Sequence, residues 1–220
     1  MSMKLLRQIS VEDIKKGIEE ALNKSKKRNF RQSVDLILSI DGLDLKRPEN
    51  RVRLVIRLPY GPSKERSVAV FADGVMAERS REAGADKVIT EKELMNLLGQ
   101  KREIKKLANK YNFFAAEPKM MAHVGRVMGF ALGPRGKIPQ IIPPNADINK
   151  VLSDLKRSVL INIRNNPMAS VSIGHEDMSI DELAANAKAV IEALSNKLPE
   201  KSYIKNIYVK TTMGPSIRIL

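Results

Sequence analysis

The polarity of the strand-like segments changes twice along this chain, and that pattern restricts its fold most strongly. Segments near both ends (34–40, 52–58 and 158–164) alternate apolar with polar residues, which is typical of strands with one exposed face. Between them, 67–72 and 113–116 are almost uniformly apolar, as expected of strands covered on both faces. These apolar strands alternate with helical segments, which favours parallel βαβ units. The sequence therefore predicts one domain built from both chain ends, with a second domain inserted into it.

The changes in polarity also give the domain boundaries. Residues 1–65 and 157–220 are predicted to form a discontinuous two-layer α+β domain. Residues 66–156 are predicted to form an inserted three-layer α/β domain of Rossmann-like type. The segment Pro59-Tyr-Gly-Pro-Ser63 breaks the preceding strand just before the first boundary. A length of 220 residues suits two small domains of this kind.

The C-terminal run Lys210-Thr-Thr-Met-Gly-Pro-Ser-Ile-Arg-Ile219 is strand-like and unusual. Alternating residues lead into it, and the strand must break or bend at Gly214-Pro215, because proline has no backbone donor. On this segment alone, the favoured interpretation is an edge strand with a bulge. The same residues also offer hydroxyl donors and an open glycine, which another backbone could approach closely.

The chain is strongly basic. It has 39 lysines and arginines against 25 aspartates and glutamates, so its net charge is +14. Such an excess attracts polyanions, nucleic acid first and anionic membranes second. The densest basic cluster surrounds Phe30 and consists of Lys24, Lys26, Lys27, Arg28 and Arg31. This cluster fits two roles equally: the solvated end of a helix, or an aromatic platform on which a nucleotide stacks.

Motif by motif, the residues argue against an enzyme. The chain has no cysteine, and its two histidines, His123 and His175, lack metal-ligand spacing, so neither a metal site nor a cofactor is predicted. The sequence around Gly136-Lys137 does not match a phosphate-binding P-loop. Ala131 occupies the position that requires glycine, and Ile138 occupies the position that requires serine or threonine. Gly133–Gly136 matches the short GxxG pattern of KH-type RNA domains, which is a weak motif. No set of side chains predicts catalysis.

Hydrophobic runs are short throughout the chain. No apolar segment approaches the roughly 20 residues needed to span a membrane. The first seven residues, Met-Ser-Met-Lys-Leu-Leu-Arg, lack the apolar core of a signal peptide. The sequence therefore predicts a soluble cytoplasmic protein without a membrane partner.

Four motifs together resemble the large-subunit ribosomal protein L-one family, the protein of the mobile stalk beside the tRNA exit site. They are Arg28-Asn-Phe-Arg-Gln-Ser-Val34, Ala83-Gly-Ala-Asp86, Leu132-Gly-Pro-Arg-Gly-Lys-Ile-Pro139 and Thr211-Thr-Met-Gly-Pro-Ser216. Each motif is modest by itself, whereas all four in this order are highly specific. The resemblance runs from residue 4 to 219 and is nearer to the archaeal branch than to the bacterial one.

The resemblance implies an RNA-binding surface on the discontinuous domain. The family's RNA-contact positions correspond here to Phe30, Ser33, Thr212, Met213 and Gly214, with Thr211 adjacent. Phosphate contacts are expected from Lys27, Arg28 and Lys210. Gln32 and Asn206 occupy two further family positions with changed residues, and the resemblance leaves open whether they contact RNA. In the inserted domain, a hinge or tRNA-side element is expected at Gly133, Pro134, Arg135, Gly136 and Lys137.

The function that the resemblance implies is structural and regulatory. It predicts a monomer within the large ribosomal subunit that binds large-subunit rRNA and assists release of the exit-site tRNA. The family also binds its own mRNA and represses translation, and the same is expected here. Two alternatives stay open at this point. One is a free-standing RNA- or DNA-binding regulator without a ribosomal role, and the other is an enzyme that binds a nucleotide on the inserted domain.

Overall fold

The computed structural model describes residues 10–199 and 201–220, and the chain divides into two compact units. One unit comprises Met1–Lys64 together with Arg157–Leu220, and the other comprises Glu65–Lys156. The N-terminal residues on which the signal-peptide argument depends lie outside the described part. The mixed α/β fold class predicted from the sequence is confirmed.

Seven α-helices and ten strands follow one another along the described residues. In chain order they are α1 Val11–Asn23, β1 Ser33–Asp41, β2 Val52–Arg57, β3 Val68–Phe71, α2 Gly74–Glu82, β4 Lys87–Ile89, α3 Glu91–Asn96, α4 Lys101–Lys110, β5 Phe113–Ala116, α5 Met121–Leu132, β6 Gln140–Ile141, α6 Ile148–Lys156, β7 Ser158–Ile163, β8 Met168–His175, α7 Ile180–Lys197, β9 Tyr203–Thr211 and β10 Ile217–Arg218. Short 3₁₀ turns occur at Pro48–Asn50 and Pro118–Met120.

The unit made from both chain ends is antiparallel. Its four-stranded sheet has the order β10-β9-β1-β8, and β2 pairs with β7 in a separate two-stranded sheet. Burial alternates along β1, whose inward residues Val34, Leu36, Leu38 and Ile40 are buried. Helices α1 and α7 pack on this face and on each other. Each such apolar side chain contributes about 1.5–3 kcal/mol by leaving water.

Helix caps define where the two packing helices begin. The side chain of Ser10 accepts a hydrogen bond from the backbone N–H of Asp13, three residues into α1. Ser179 and Glu182 form a reciprocal capping box at the start of α7. Both caps satisfy backbone donors that the first turn leaves free.

The C-terminal run does not form one bulged edge strand, so that prediction is wrong. Strand β9 ends at Thr211, the chain turns, and β10 returns antiparallel to β9, with Ile217 opposite Val209. Strand β9 therefore lies between β10 and β1 rather than at the edge of the sheet. The backbone N–H of Gly214 donates to the carbonyl of Thr211 (3.2 Å), which closes a β-turn and reverses the chain.

The inserted unit is a parallel sheet with the order β4-β3-β5-β6. All residues of β3 and β5 are buried, as their uniform apolar sequence predicted. Helix α2 contacts α6, while α3 and α4 contact α5, so the helices form two groups as right-handed crossovers require. The core includes Phe71 stacked on Phe114, with ring centroids 5.8 Å apart. Strand β6 has only two residues and was not predicted.

The described residues contain neither a membrane-spanning helix nor a cluster of metal-ligating side chains. Over residues 10–199 and 201–220, no helix is long and apolar enough to cross a membrane. Over the same residues, no group of three or more histidine, cysteine or acidic side chains could hold a metal ion.

Candidate nucleic-acid interface

The turn after β9 and the first residue of β1 are joined by three hydrogen bonds. The backbone N–H of Ser33 donates to Oγ1 of Thr212 (3.0 Å), and the backbone N–H of Thr212 donates to the carbonyl of Ser33 (3.0 Å). Oγ1 of Thr212 also donates weakly to that carbonyl, at 3.3 Å. These residues lie 179 positions apart in the chain. The fold thus brings together two of the four motifs singled out in the sequence.

Apolar side chains project into solvent on both of these segments. The exposed fraction is 50% for Phe30 and 61% for Met213. The main-chain N–H of Met213 is held by Oε1 of Gln32 at 3.1 Å, so the two segments are fixed to each other. We call Phe30, Ser33, Thr212, Met213 and Gly214 the turn surface.

Gln32 lies beneath the turn surface and is fully buried. Its Nε2 donates to the carboxylate of Glu176 (3.1 Å), to Oγ of Ser25 (3.1 Å) and to the carbonyl of Lys26 (3.2 Å). Its backbone N–H donates to the other oxygen of Glu176 (2.9 Å). One side chain therefore connects the segment after α1, the end of β8 and the turn after β9. Its amide is directed into the protein rather than toward a ligand.

Thr211 also lies below the surface. Its side chain is fully buried, and Oγ1 shares a hydrogen bond of 2.8 Å with Oγ of Ser25. A Cβ at Gly214 would collide with this same hydroxyl and would lie 3.4 Å from the side chain of Ser25. The chain's own close packing therefore explains the glycine. The explanation from the sequence, an open glycine that another backbone approaches, is not needed to account for it.

The basic residues predicted to contact phosphate surround the turn surface unevenly. Lys27 and Arg28 are exposed, whereas Lys210 is partly buried on β9 opposite Asp35. Lys27 and Arg28 therefore expose their charges to solvent, whereas Lys210 lies across from a carboxylate on β1.

Asn206 lies on the same strand but far from the turn. It lies opposite Ser39 of the neighbouring strand β1, and its Oδ1 accepts a hydrogen bond of 2.8 Å from Arg218. Five residues along an extended strand separate it from Thr211 by about 16 Å. The structure therefore brings Phe30, Ser33 and the turn together but leaves Asn206 apart.

The glycine-rich segment of the inserted unit stabilises helix ends. Nζ of Lys137 donates to the carbonyls of Ala108 (2.8 Å) and Tyr111 (2.7 Å), at the end of α4. Arg135 donates to the carbonyl of Ala131 at 2.8 Å, near the end of α5, and to the side chain of Asn109 at 2.9 Å. Cations on the free carbonyls of a helix C-terminus are stabilising. Burial, and secondly the charge of Arg135, lower the pKa of Lys137.

The backbone of this segment follows the same pattern. The N–H of Gly133 donates to the carbonyl of Gly129, and the N–H of Gly136 donates to the carbonyl of Gly133, at 2.9 and 3.0 Å. Gly136 has a φ of +68°, which favours glycine. The segment is thus the turn that ends α5, and the KH-like GxxG interpretation is not required to explain its glycines.

A family model described as "Ribosomal protein L1p/L10e family" matches residues 22–215. The chain belongs to this family. The match includes both halves of the turn surface and the whole inserted unit. The resemblance inferred from the four motifs is therefore confirmed.

Curated relatives support the same assignment over nearly the full chain. The protein named "Large ribosomal subunit protein uL1" from Pyrobaculum calidifontis is 45% identical over 208 residues, which are 94% of this chain and 93% of that protein. The proteins of the same name from Archaeoglobus fulgidus and Pyrococcus abyssi are 43% and 42% identical over 206 and 208 residues. These alignments cover 93% and 94% of this chain, and 96% and 94% of those proteins. All three organisms are archaea, as the branch inferred from the motifs predicted.

The supporting roles of Gln32, Ser25 and Glu176 were not predicted from the sequence, in which Gln32 stands only as a family position whose RNA contact is left open. For Gln32 a signal was present. Val34 and Leu36 face the core, and residues two apart on a strand share a face, so Gln32 belongs to the buried side of β1. Ser25 and Glu176 carried no comparable signal, because their partners come from distant parts of the chain.

Proposed function

We propose that this chain is a structural protein of the large ribosomal subunit and binds large-subunit rRNA directly through the turn surface. The observation that carries the proposal is the junction of Ser33 with Thr212, which is flanked by the exposed side chains of Phe30 and Met213. The family and the printed names of its relatives supply the ribosomal context. Within the subunit, the chain acts as a monomer.

The chemistry of the turn surface suits RNA. The hydroxyl of Thr212 accepts one hydrogen bond from Ser33 and keeps a second lone pair, which can accept from a ribose 2′-hydroxyl. The exposed ring of Phe30 can pack on a base or a sugar. Lys27 and Arg28 add an attraction to phosphates that weakens with salt. Shape and 2′-hydroxyl recognition of this kind reads folded RNA rather than duplex DNA.

Two further roles follow from the family resemblance. The same surface would bind a similar fold in the chain's own mRNA, and this binding would repress translation. The inserted unit would assist release of the exit-site tRNA, with Gly133–Lys137 as its candidate tRNA-side or hinge element. The helix-end contacts of Arg135 and Lys137 mean that this segment also has a stabilising role.

Co-sedimentation tests the ribosomal role. The full chain is mixed with large subunits from which the endogenous protein has been removed, and is sedimented at increasing salt concentrations. Rebinding that survives the salt needed to remove unrelated basic proteins is expected. If the chain binds isolated RNA yet fails to rejoin the subunit, a free-standing RNA-binding regulator becomes the better description.

Filter binding tests the RNA partners. The full chain is titrated separately against an rRNA fragment from the stalk and against the leader of its own mRNA. The rRNA is expected to bind more tightly, because an autoregulated protein must fill ribosomal sites before it represses its message. Equal affinity for both RNAs and for an unrelated RNA hairpin would contradict specific recognition.

A further inference from the structure

A second exposed aromatic residue stands beside the turn surface in an arrangement that repeats the first. Phe30 precedes Ser33 by three residues, and Tyr60 precedes Ser63 by three residues. The hydroxyls of Ser33 and Ser63 are hydrogen-bonded to each other at 3.0 Å. The two rings are equally exposed, at 50% for Phe30 and 52% for Tyr60. The segments that carry the two aromatics therefore meet at the serine pair.

The backbone beneath Tyr60 is firmly held. Asn186 of α7 is fully buried and accepts a hydrogen bond from the N–H of Tyr60 at 3.0 Å. Its Nδ2 donates to the carbonyls of Gly61 (3.2 Å) and Ile173 (2.7 Å). Gly61 is buried with a φ of +78°, and its N–H donates to the carbonyl of Leu58 at 3.3 Å. A buried amide with all these partners satisfied fixes the loop in one conformation.

An exposed ring on a fixed loop contributes little to the core. About half of the surface of Tyr60 stays in contact with water. Folding has already ordered the backbone of this loop, so a ligand that packs on the ring pays little additional ordering entropy. These properties are those of an aromatic platform held ready for a partner.

We propose that Pro59–Ser63 is a second RNA-binding segment, in which the ring of Tyr60 stacks on a base or ribose of the RNA held by the turn surface. Ser63 fixes the position of this segment relative to Ser33 through the hydroxyl pair. The inference rests on the proposed RNA binding of the turn surface. RNA is favoured over a protein partner because the chain carries a net charge of +14 and exposes Lys27, Arg28 and Lys64 in the adjoining segments.

Substitution of the ring tests the proposal in the full chain. Tyr60→Ala is expected to weaken binding of the stalk rRNA fragment roughly 5- to 100-fold, as the loss of one stacked base does. Tyr60→Phe keeps the ring and is expected to bind within about twofold of the unsubstituted chain. Because neither variant removes a charge, the slope of log affinity against log salt is expected to stay unchanged.

Tyr203→Ala is the matched control. Tyr203 has a similar exposed fraction, 48%, and stands at the opposite end of β9, where it pairs with Asp41. Eight residues of extended strand separate it from Thr211, about 26 Å. Its substitution is expected to leave RNA affinity unchanged. An equal loss for Tyr203→Ala and Tyr60→Ala would overturn the proposal, because it would indicate a general effect of removing tyrosine.

The remaining outcomes separate this inference from the function on which it rests. If Phe30→Ala and Thr212→Ala weaken binding while Tyr60→Ala does not, the second segment is rejected and the turn surface stands. If none of the three weakens binding, the proposed RNA surface itself fails. If Tyr60→Ala impairs only rejoining of the large subunit and not RNA binding, the ring contacts a ribosomal protein and the proposal is wrong. Thermal unfolding of each variant confirms that it is folded.

Discussion

The carboxylate of Glu176 receives two hydrogen bonds from Gln32, one from its backbone N–H at 2.9 Å and one from its side-chain amide at 3.1 Å. Glu176 directly follows β8, and Gln32 directly precedes β1, so this contact closes the end of the sheet beneath the turn surface. The same amide reaches Met213 through Oε1. The position of the candidate RNA site therefore depends on a glutamine that is not itself exposed.

Gln32→Glu is expected to disrupt this arrangement. The substitution places a second carboxylate against Glu176 in a buried position and removes the donors to Ser25 and Lys26. The free energy of unfolding should fall by about 3 kcal/mol, measured by urea denaturation. The rRNA affinity should fall as well, because the segment after α1 and the end of β8 lose the amide donor that connects them beneath the turn surface. Adding Glu176→Gln should recover part of both losses. In the double variant, the new amide at position 176 can donate to the new carboxylate at position 32.

Gln140→Glu provides the control for this charge change. Gln140 is exposed on β6 of the inserted unit, where an added carboxylate meets water. Its stability and rRNA affinity are expected to match those of the unsubstituted chain within error. Equal losses at positions 32 and 140 would show that net charge, rather than the Glu176 contact, explains the effect.

Much of the fold was predictable because it depends on local periodicity. The alternation of β1, the uniform burial of β3 and the capping box at Ser179 each follow from residues within one element. The conformation of the C-terminal run could not be predicted, because it depends on strand pairing. A strand with Gly214-Pro215 in its middle can bulge or reverse, and only the return of Ile217 onto Val209 decides between them.

The candidate site was predictable only in its exposed members. The family resemblance indicated Phe30, Thr212 and Met213. It could not show that Thr211 is buried, because adjacent strand residues alternate between core and surface only once the register with β1 is known. The sequence predicts only a strand break at the Tyr60 loop, since nothing near it in sequence reveals the hydrogen bond between the hydroxyls of Ser33 and Ser63.

Thr212→Ala and Met213→Ala are each expected to weaken binding of the rRNA fragment by roughly 1–3 kcal/mol. Thr212→Ala removes the hydroxyl that is proposed to contact the RNA and that accepts the hydrogen bond from the Ser33 N–H. Thr212→Ser keeps that hydroxyl and is expected to lose much less affinity. The measurement is an equilibrium titration at one fixed salt concentration. Wild-type affinity for both alanine variants would remove the turn from the binding site.

Lys137→Ala is expected to destabilise the chain while leaving rRNA affinity nearly unchanged. The ammonium group holds two carbonyls at the end of α4, and losing these contacts should cost about 1–2 kcal/mol in unfolding free energy. Thermal unfolding and rRNA titration of the same sample check both parts. An rRNA loss as large as that of Thr212→Ala would mean that the binding surface had been assigned to the wrong unit.

Stability is expected to decline on acidification through the titration of His175. Burial, and secondly the positive charge of Arg31, lower its pKa below the usual value near 6.5, and the carboxylates of Asp177, Glu182 and Glu176 offset this only in part. Its Nδ1 also accepts a hydrogen bond of 3.3 Å from the backbone N–H of Asp177, which requires the unprotonated ring. Below pH 6.5 the unfolded chain therefore binds more protons than the folded chain, and stability falls as the pH falls.

His175→Gln tests this pH dependence. Urea unfolding at pH 7 and pH 5 gives the loss of stability on acidification for each protein. The variant should lose less than the unsubstituted chain, because glutamine does not titrate. Equal losses for the His175 variant and the unsubstituted chain would exclude His175 as the titrating group.

Gly214→Ala and Gly125→Ala are expected to have opposite effects on stability. A methyl group at 214 collides with the hydroxyl of Thr211, whose bond to Ser25 holds the turn, so both stability and rRNA affinity should fall. Gly125 lies in the exposed middle of α5, and no atom lies within 4 Å of an added Cβ. Alanine there should stabilise the chain by about 0.5–1 kcal/mol and leave rRNA affinity unchanged. Thermal unfolding and rRNA titration measure both, and tolerance of alanine at 214 would contradict the close packing beneath the turn.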